Sequence, residues 1–143
     1  MEKFVKRLKD LKEENKLSNK DIAKILKLSN VNAVYPWLNG KQYPIVKYMV
    51  KLAENFNCSI EFLLGRTEEV GGGKYNKIKP FDIQLKRIMN EKNKTQYRME
   101  KDNICSANNF SMWFTKKCVP RFETIIKLAD YFGVTIDYML GRE

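Results

Sequence analysis

The chain has 143 residues, enough for one ordinary domain or two very small ones. Its 27 lysines and arginines exceed its 17 acidic residues and it has no histidine, so its net charge is +10. This balance favours a polyanionic partner, nucleic acid before a membrane face, while the lack of any long apolar run excludes a membrane-spanning segment.

The first two helices are predicted from spacing and capping. Phe4, Leu8 and Leu11 recur at helical spacing and predict a helix over residues 4–16. Ser18 is a good N-cap for a second helix, and Asp21 follows three residues later, close to a capping box. We expect that second helix to run to about residue 27, with its apolar side towards the core.

Residues 29–44, SNVNAVYPWLNGKQYP, predict a turn, a short third helix and an exit at Asn39-Gly40 into a basic loop. Leu28, Val34 and Trp37 share one face of this helix, which we expect to be buried. The opposite face carries Asn32, Ala33, Tyr35 and Pro36. Amides, a small apolar residue and an aromatic flanked by lysines suit a helix that enters a DNA groove.

Pro36 is unusual because a proline inside a regular helix costs about 3 kcal/mol. Two explanations remain open. The helix starts late, at Asn32, which places Pro36 near its first turn, or an extra residue in the turn 27–32 shifts the start. A functional interpretation makes Pro36 a rigid apolar tip that meets thymine methyl groups.

The remaining helices of this first segment follow the same logic. Pro44 suits the start of a fourth helix, where its missing N–H costs nothing. Asn57 is placed to take the left-handed turn at the end of that helix, and Ser59 caps a short fifth helix. Residues 67–80, TEEVGGGKYNKIKP, then predict a linker with a flexible, glycine-rich centre, which reaches roughly 45 Å when extended.

The chain then repeats itself. Residues from Phe81 answer those from Phe4 at an offset of 77, which becomes 76 after a one-residue deletion near Asp102. At the second offset Trp113 answers Trp37 and Pro120 answers Pro44. We therefore predict an all-α protein with two five-helix domains, 1–66 and 81–143, joined by the linker 67–80.

Residues 18–44 resemble the Cro/repressor-type helix-turn-helix family, also called the XRE family, and VKLAENFNCSIEFLLGR matches its last two helices. The second copy resembles the same family in TQYRMEKDNICSANNFSMWF and IIKLADYFGVTIDYMLGRE. The resemblance implies two lambda-repressor-like domains, each with its third helix in the major groove and its second helix across the backbone.

The resemblance also implies site residues. The base-facing set of the first copy is Asn30, Asn32, Ala33, Tyr35 and Pro36. Its phosphate contacts are Ser18, Asn19, Lys20, Asn39, Lys41 and Tyr43. The base-facing set of the second copy is Ser106, Asn108, Asn109, Ser111 and Met112. Its phosphate contacts are Thr95, Gln96, Lys116 and Lys117. Neither recognition helix contains arginine, which favours A·T-rich sites over guanine-rich ones.

The second copy departs from the first. Glu100 stands where the first copy has Ala23, and Lys116 replaces the helix-ending Gly40. Residues 81–143 also carry less net charge than residues 1–66. Two roles stay open for this copy, namely DNA binding or a packing or dimer surface.

No enzymatic or metal chemistry is expected. The cysteines, Cys58, Cys105 and Cys118, include no CxxC pair, and without histidine the chain lacks the ligands of a zinc site. An odd, scattered set of cysteines indicates reduced thiols in a cytoplasm. No nucleophile–base pair, glycine-rich phosphate loop or paired carboxylate motif is present.

The sequence therefore predicts a cytoplasmic transcriptional repressor of bacterial or phage type that binds double-stranded DNA without a cofactor or membrane. Two half-site readers in one chain allow a monomer to imitate a dimer, and a true homodimer stays open. The alternative is a protein-interaction module, such as an antitoxin or anti-repressor, that docks a protein on the same surface.

Overall fold

The computed structural model describes all residues, 1–143, and its regular elements are helices without any strand, which confirms the all-α prediction. The chain divides into two compact units, Met1–Gly73 and Lys74–Glu143. None of the helices combines the length and apolar character that a membrane crossing requires.

The first unit contains five α-helices and one 3-10 turn. The helices are α1 (Glu2–Glu14), α2 (Asn19–Ile25), α3 (Tyr35–Leu38), α4 (Val46–Asn55) and α5 (Ile60–Leu63), and the 3-10 turn (Val31–Ala33) precedes α3. Phe4 and Leu8 of α1 are fully buried against a core that includes Ile22, Met49 and Leu63. The predicted spacing of apolar residues on α1 is therefore the spacing that builds this core.

The third helix differs from its prediction in where it begins. The turn Val31–Ala33 is 3-10 helical, and the α-helix begins only at Tyr35, so Pro36 is its second residue. The first N–H groups of a helix have no carbonyl partner within the helix. A proline in the first turn therefore loses no hydrogen bond, and the cost of an interior proline does not arise. The predicted start at Asn32 is therefore wrong by three residues, and the later start at Tyr35 agrees with a shifted helix start, which both explanations invoked.

Two further boundaries were predicted wrongly. Helix α4 begins at Val46, not at Pro44, because its N-cap Ile45 is still extended with ψ 161°. Pro44 is buried ahead of the helix. Helix α2 ends at Ile25 rather than about residue 27, because Lys27 takes a left-handed conformation with φ 57°.

The second unit repeats this order with local changes. Its helices are α6 (Phe81–Glu91), α7 (Gln96–Lys101), α8 (Ala107–Phe110), α9 (Phe122–Phe132) and α10 (Ile136–Met139), and α8 continues into a π-helical turn (Ser111–Thr115). The left-handed residue after α7 is Asn103, eight positions beyond Thr95, whereas Lys27 is nine beyond Ser18. The one-residue deletion therefore shortens the end of α7.

The π-helical turn overturns one residue correspondence. Lys116 was expected to stand in place of Gly40, but Lys116 has φ −90° and Lys117 takes the left-handed conformation with φ 57°. A π-helical turn accommodates one residue more than an α-helical turn. The conformational counterpart of Gly40 is therefore Lys117.

The charge comparison between the copies also depends on where the units divide. Residues 1–73 contain thirteen basic and nine acidic side chains, net +4, and residues 74–143 contain fourteen and eight, net +6. Lys74, Lys77 and Lys79 fall in the second unit and raise its net charge from +3 to +6, while Glu68 and Glu69 fall in the first unit and lower its net charge from +6 to +4.

Candidate nucleic-acid interface

The N-terminus of α2 is held by a reciprocal capping box. The Ser18 hydroxyl accepts a hydrogen bond from the Asp21 backbone N–H at 3.1 Å, and the Asp21 carboxylate accepts one from the Ser18 N–H at 2.8 Å. The bond from the Ser18 backbone N–H, followed by a bond from the Ser18 hydroxyl, lowers the pKa of the Asp21 carboxyl below its usual range. The Ser18 hydroxyl is exposed at the start of α2, but its proton is directed to the Asp21 carboxylate.

Asn19 and Lys20 follow the cap. The Lys12 ammonium donates to the Asn19 side-chain oxygen, which orients the Asn19 amide and leaves its N–H groups as the available donors. Lys20 is exposed and forms no salt bridge within the chain. Both predicted phosphate contacts therefore keep free donor groups at the start of α2.

The turn between α2 and α3 separates the roles of two asparagines. The Asn30 side-chain oxygen accepts a hydrogen bond from the Asn32 N–H at 2.8 Å and so caps the 3-10 turn. A bidentate contact to adenine needs both the oxygen and the amide nitrogen of one side chain. Asn30 has its oxygen engaged, whereas the Asn32 side chain is exposed and forms no hydrogen bond within the chain.

The two faces predicted for the third helix are present in part, because Leu28, expected on the buried face, lies ahead of the 3-10 turn and is half-buried, and Asn32 and Ala33 lie on that turn rather than on α3. Val34 is fully buried and Trp37 is 3% exposed, so both belong to the core. On the other face Ala33 is exposed, Tyr35 is 47% exposed and Pro36 is half-buried. The buried side chains fix the orientation of the helix, and the exposed ones form a mixed apolar and polar surface.

The exit from α3 holds a lysine beside that surface. Lys41 donates its backbone N–H to the Pro36 carbonyl at 2.9 Å, across the left-handed Gly40 with φ 74°. The Lys41 side chain is exposed and forms no salt bridge, and Asn39 is exposed as well. Tyr43 is placed differently, since its ring packs 5.5 Å from the ring of Phe4 on α1.

We define the exposed and half-buried side chains around α3 in the first unit as the recognition surface. Its members are Ser18, Asn19, Lys20, Asn32, Ala33, Tyr35, Pro36, Asn39 and Lys41. Helix α2 packs against the 3-10 turn, and that turn leads directly into α3, so these positions lie on connected elements. The surface carries two unpaired cations and no carboxylate other than Asp21, whose charge is engaged in the cap.

The corresponding surface of the second unit has more of its polar groups engaged. Ser106 and Asn109 form a second capping box, in which the Asn109 side-chain oxygen accepts from the Ser106 N–H at 2.9 Å. Of the predicted base-facing set, only Asn108 and Ser111 are exposed without such a bond, and Met112 is half-buried. The second unit therefore presents fewer free base-reading groups than the first.

The predicted phosphate contacts of the second unit also include both engaged and free side chains. The Thr95 hydroxyl caps α7 by accepting from the Arg98 N–H at 3.1 Å, and Gln96 is exposed. Lys116 is exposed, but Lys117 donates to the Asp82 carboxylate at 2.6 Å. That ion pair draws Lys117 towards α6 and leaves Lys116 as the free cation of the exit loop.

Helix α7 is also anchored to α9. The Asp102 carboxylate accepts a hydrogen bond from the Tyr131 hydroxyl at 2.6 Å and pairs with Arg98 at 3.2 Å. The bond from Tyr131, followed by the charge of Arg98, lowers the pKa of Asp102. Burial and the Asp102 bond raise the pKa of Tyr131 to about 12, so the hydroxyl stays protonated.

Sequence reasoning missed two exposed residues beside these surfaces. Gln42 follows Lys41 in the exit loop, and Tyr97 on α7 is 69% exposed at the position that answers Lys20. Tyr97 could have been found from the sequence, because it is an aromatic residue at the position where the first copy has Lys20. The Lys101 ammonium lies 5.5 Å from the Tyr97 ring, so a cation still accompanies it.

The cysteines and the carboxylates do not form a nucleophilic or metal-binding site. Burial, followed by the charge of Glu100, raises the pKa of the Cys105 thiol to about 11, so this cysteine is a neutral thiol. Cys58 is fully buried. No group of three histidine, cysteine, aspartate or glutamate side chains is assembled in a way that could hold a metal ion.

Comparison with models of known protein families, with curated proteins and with solved structures gives no match to this chain.

Proposed function

We propose that this chain binds double-stranded DNA in a sequence-specific manner through the recognition surface, as a helix-turn-helix regulator of the Cro/repressor type. The observation that supports this proposal most strongly is the exposed set Asn32, Ala33 and Tyr35. Val34 and Trp37, which are buried in the core, hold this set at the surface. A 3-10 turn and a short helix that together present an unengaged amide and small apolar groups suit readout in the major groove.

The division of labour follows from which groups are free. Asn32 reads adenine by its amide, and Ala33 meets a thymine methyl group. Lys20 and Lys41 neutralise phosphates and supply affinity that does not depend on sequence. Asn30 acts mainly as the cap that positions Asn32, because its side-chain oxygen is already bonded.

The second unit contributes a weaker DNA contact in this proposal. Asn108, Ser111 and Lys116 are its free groups. Because both units belong to one chain, the second contact is intramolecular, and it raises avidity without any increase in the affinity of either unit. Occupancy of two successive major grooves would then block or position a polymerase, which is the action of a cytoplasmic repressor.

Salt dependence of duplex binding tests this proposal. Fluorescence anisotropy with a labelled mixed-sequence duplex, followed by competition with sequences recovered from a random library, measures affinity at each salt concentration. We expect the logarithm of the association constant to fall linearly and steeply with the logarithm of salt concentration. Binding that is absent at low salt, or equal for all sequences, would contradict the proposal.

A second candidate function is a protein-interaction module, as in an antitoxin or anti-repressor. It is favoured by one observation in the second unit, the 69% exposure of Tyr97, since tyrosine is enriched at protein interfaces. A tight partner protein bound with little salt dependence would support this candidate, and the Tyr97→Ala variant would then weaken that binding. DNA binding that is insensitive to Tyr97→Ala would favour our first proposal.

A further inference from the structure

Residues 67–79, which we call the connecting segment, are bonded to folded parts of both units. Its first half returns to the first unit. The Ser59 N–H donates to the Val70 carbonyl at 2.9 Å, and Glu68 pairs with Arg7 at 3.3 Å. The Gly73 N–H reaches the Asn57 side-chain oxygen at 3.4 Å.

Gly72 shows how closely this half approaches the unit. A Cβ atom added to Gly72 would lie 2.9 Å from the Asn57 carbonyl oxygen, which is closer than real Cβ contacts allow. Glycine is thus required at this position for the backbone to dock. Gly72 therefore serves a close approach of the backbone to the first unit.

The second half of the connecting segment docks on the end of the second unit. The Asn76 N–H donates to the Arg142 carbonyl at 2.8 Å, and the Lys79 N–H donates to the Leu140 carbonyl at 3.1 Å. The Arg142 guanidinium lies 4.2 Å from the centre of the Tyr75 ring. Arg142 is itself fixed by a buried ion pair with Asp137 at 2.6 Å.

Docking at both ends shortens the free chain between the units. From the Gly73 nitrogen to the Asn76 nitrogen there are three residues, which span at most about 10 Å. An undocked segment of thirteen residues would span roughly 45 Å. A unit of this size has a radius of gyration of about 11 Å, which corresponds to a sphere with a radius of about 14 Å.

We infer that the docked connecting segment determines half-site spacing and so acts as a specificity element of the proposed DNA-binding function, on which this inference rests. With the segment docked, the unit centres can separate by at most about 38 Å, which covers one helical turn of DNA but not two. With the segment free, they could separate by about 73 Å, which covers two turns. The chain therefore selects half-sites one helical turn apart.

An insertion variant tests the inference without disturbing either docked half. Ten residues of Gly and Ser, inserted between Gly73 and Lys74, add about 33 Å of reach. Both proteins select from a library of duplexes randomised over about four helical turns, and sequencing gives the spacing between recovered half-sites. We expect wild type to recover about tenfold fewer two-turn pairs than one-turn pairs, and the insertion variant to recover both.

Substitutions and amide exchange test the docking itself. In wild type we expect the amides of Asn76 and Lys79 to be protected from hydrogen exchange, and in Tyr75→Ala we expect them to exchange at least tenfold faster. Tyr75→Ala should also recover two-turn half-sites. Lys77→Ala is the matched control, because Lys77 is exposed in the same segment and bonded to nothing in the chain.

The outcomes separate the two proposals. Enrichment of two-turn pairs by wild type, or unprotected amides at Asn76 and Lys79, would overturn the inference and leave DNA binding intact. If the protein enriches no sequence while the amides of Asn76 and Lys79 are protected, the segment is docked but the chain does not read DNA. That result would overturn the proposed function, and the segment would then have no half-site spacing to set.

Discussion

Asn30 and Asn32 have the same side chain, two positions apart, but the structure gives them different tasks. The Asn30 oxygen caps the 3-10 turn, and the Asn32 amide is free. We expect Asn32→Ala to relax the preference at one base position and to weaken binding to the preferred site by about 1–3 kcal/mol. Binding assays with duplexes changed at each position in turn measure this, and Asn55→Ala, which removes an exposed asparagine at the end of α4, is the control.

Lys41 is expected to act differently from Asn32. Its exposed ammonium makes no salt bridge, so Lys41→Ala should weaken binding to all sequences alike and reduce the salt slope by about 1. Salt titrations on one preferred and one unrelated duplex measure both effects. Lys9→Ala removes an equal charge from α1 as a control. Equal, uniform losses for Asn32→Ala and Lys41→Ala would contradict the separation of reading from positioning.

At the scale of single elements, the end of α3 depends on glycine. Gly40 has φ 74°, and an added Cβ would make only ordinary contacts, 3.6 Å from Val5 and 3.7 Å from Met1. We therefore expect Gly40→Ala to lower the free energy of unfolding by about 1–2 kcal/mol through the backbone alone. Gly65 has a similar φ, but its added Cβ would lie 2.7 Å from Lys3. Denaturant unfolding should show a larger loss for Gly65→Ala, and a reversed order would contradict this explanation.

The capping box of α2 predicts an acid dependence of stability. Bonds from Ser18 lower the pKa of Asp21 in the folded state, so the folded protein binds a proton at this carboxylate less readily than the unfolded chain does. The stabilisation is present above the usual carboxyl pKa and is lost as the pH falls through the lowered folded value. Thermal melts should therefore show that Asp21→Asn is less stable than wild type at neutral pH and that the difference shrinks in acid. Glu13→Gln, which removes an exposed carboxylate from α1, is the matched control for the loss of one charge.

Elements were predictable where the signal is local. Ser18 followed by Asp21 specified the start of α2, and Pro36 required a late start of α3, because a proline cannot supply an interior N–H. Lys117 was not predictable as a left-handed residue, since lysine has no preference for that conformation and the π-helical turn before it has no sequence signature. The capping role of Asn109 could not be separated from base reading for a similar reason, because asparagine suits both.

At the scale of the whole molecule, the internal repeat predicted an all-α chain, and the structure confirms it. The docking of residues 67–79 was not predictable. It depends on Arg142 and Asn57, which are distant in sequence, and on backbone hydrogen bonds that any residue can make. Three consecutive glycines indicated flexibility, whereas Gly72 is needed for a close approach to Asn57.

The second unit has fewer side chains free to contact DNA than the first. Substitutions in the second unit should therefore weaken binding only to duplexes that contain its half-site. Asn108 and Lys116 are among the free groups of the second unit, so the double substitution Asn108→Ala, Lys116→Ala should remove much of its contribution. We expect weaker binding to duplexes with two half-sites and unchanged binding to duplexes with only the half-site of the first unit. Equal losses on both duplexes would show that the second unit does not act through a site of its own.

The most direct test of the central claim is to map the DNA-contacting residues by nuclear magnetic resonance. An isotope-labelled full chain is titrated with a short mixed-sequence duplex at low salt, and the amide shifts are followed residue by residue. The recognition surface predicts that the largest changes lie at residues 18–20 and 30–41. Changes confined to α5 (Ile60–Leu63) and α1 (Glu2–Glu14), or none at saturating duplex, would contradict the claim that this surface binds DNA.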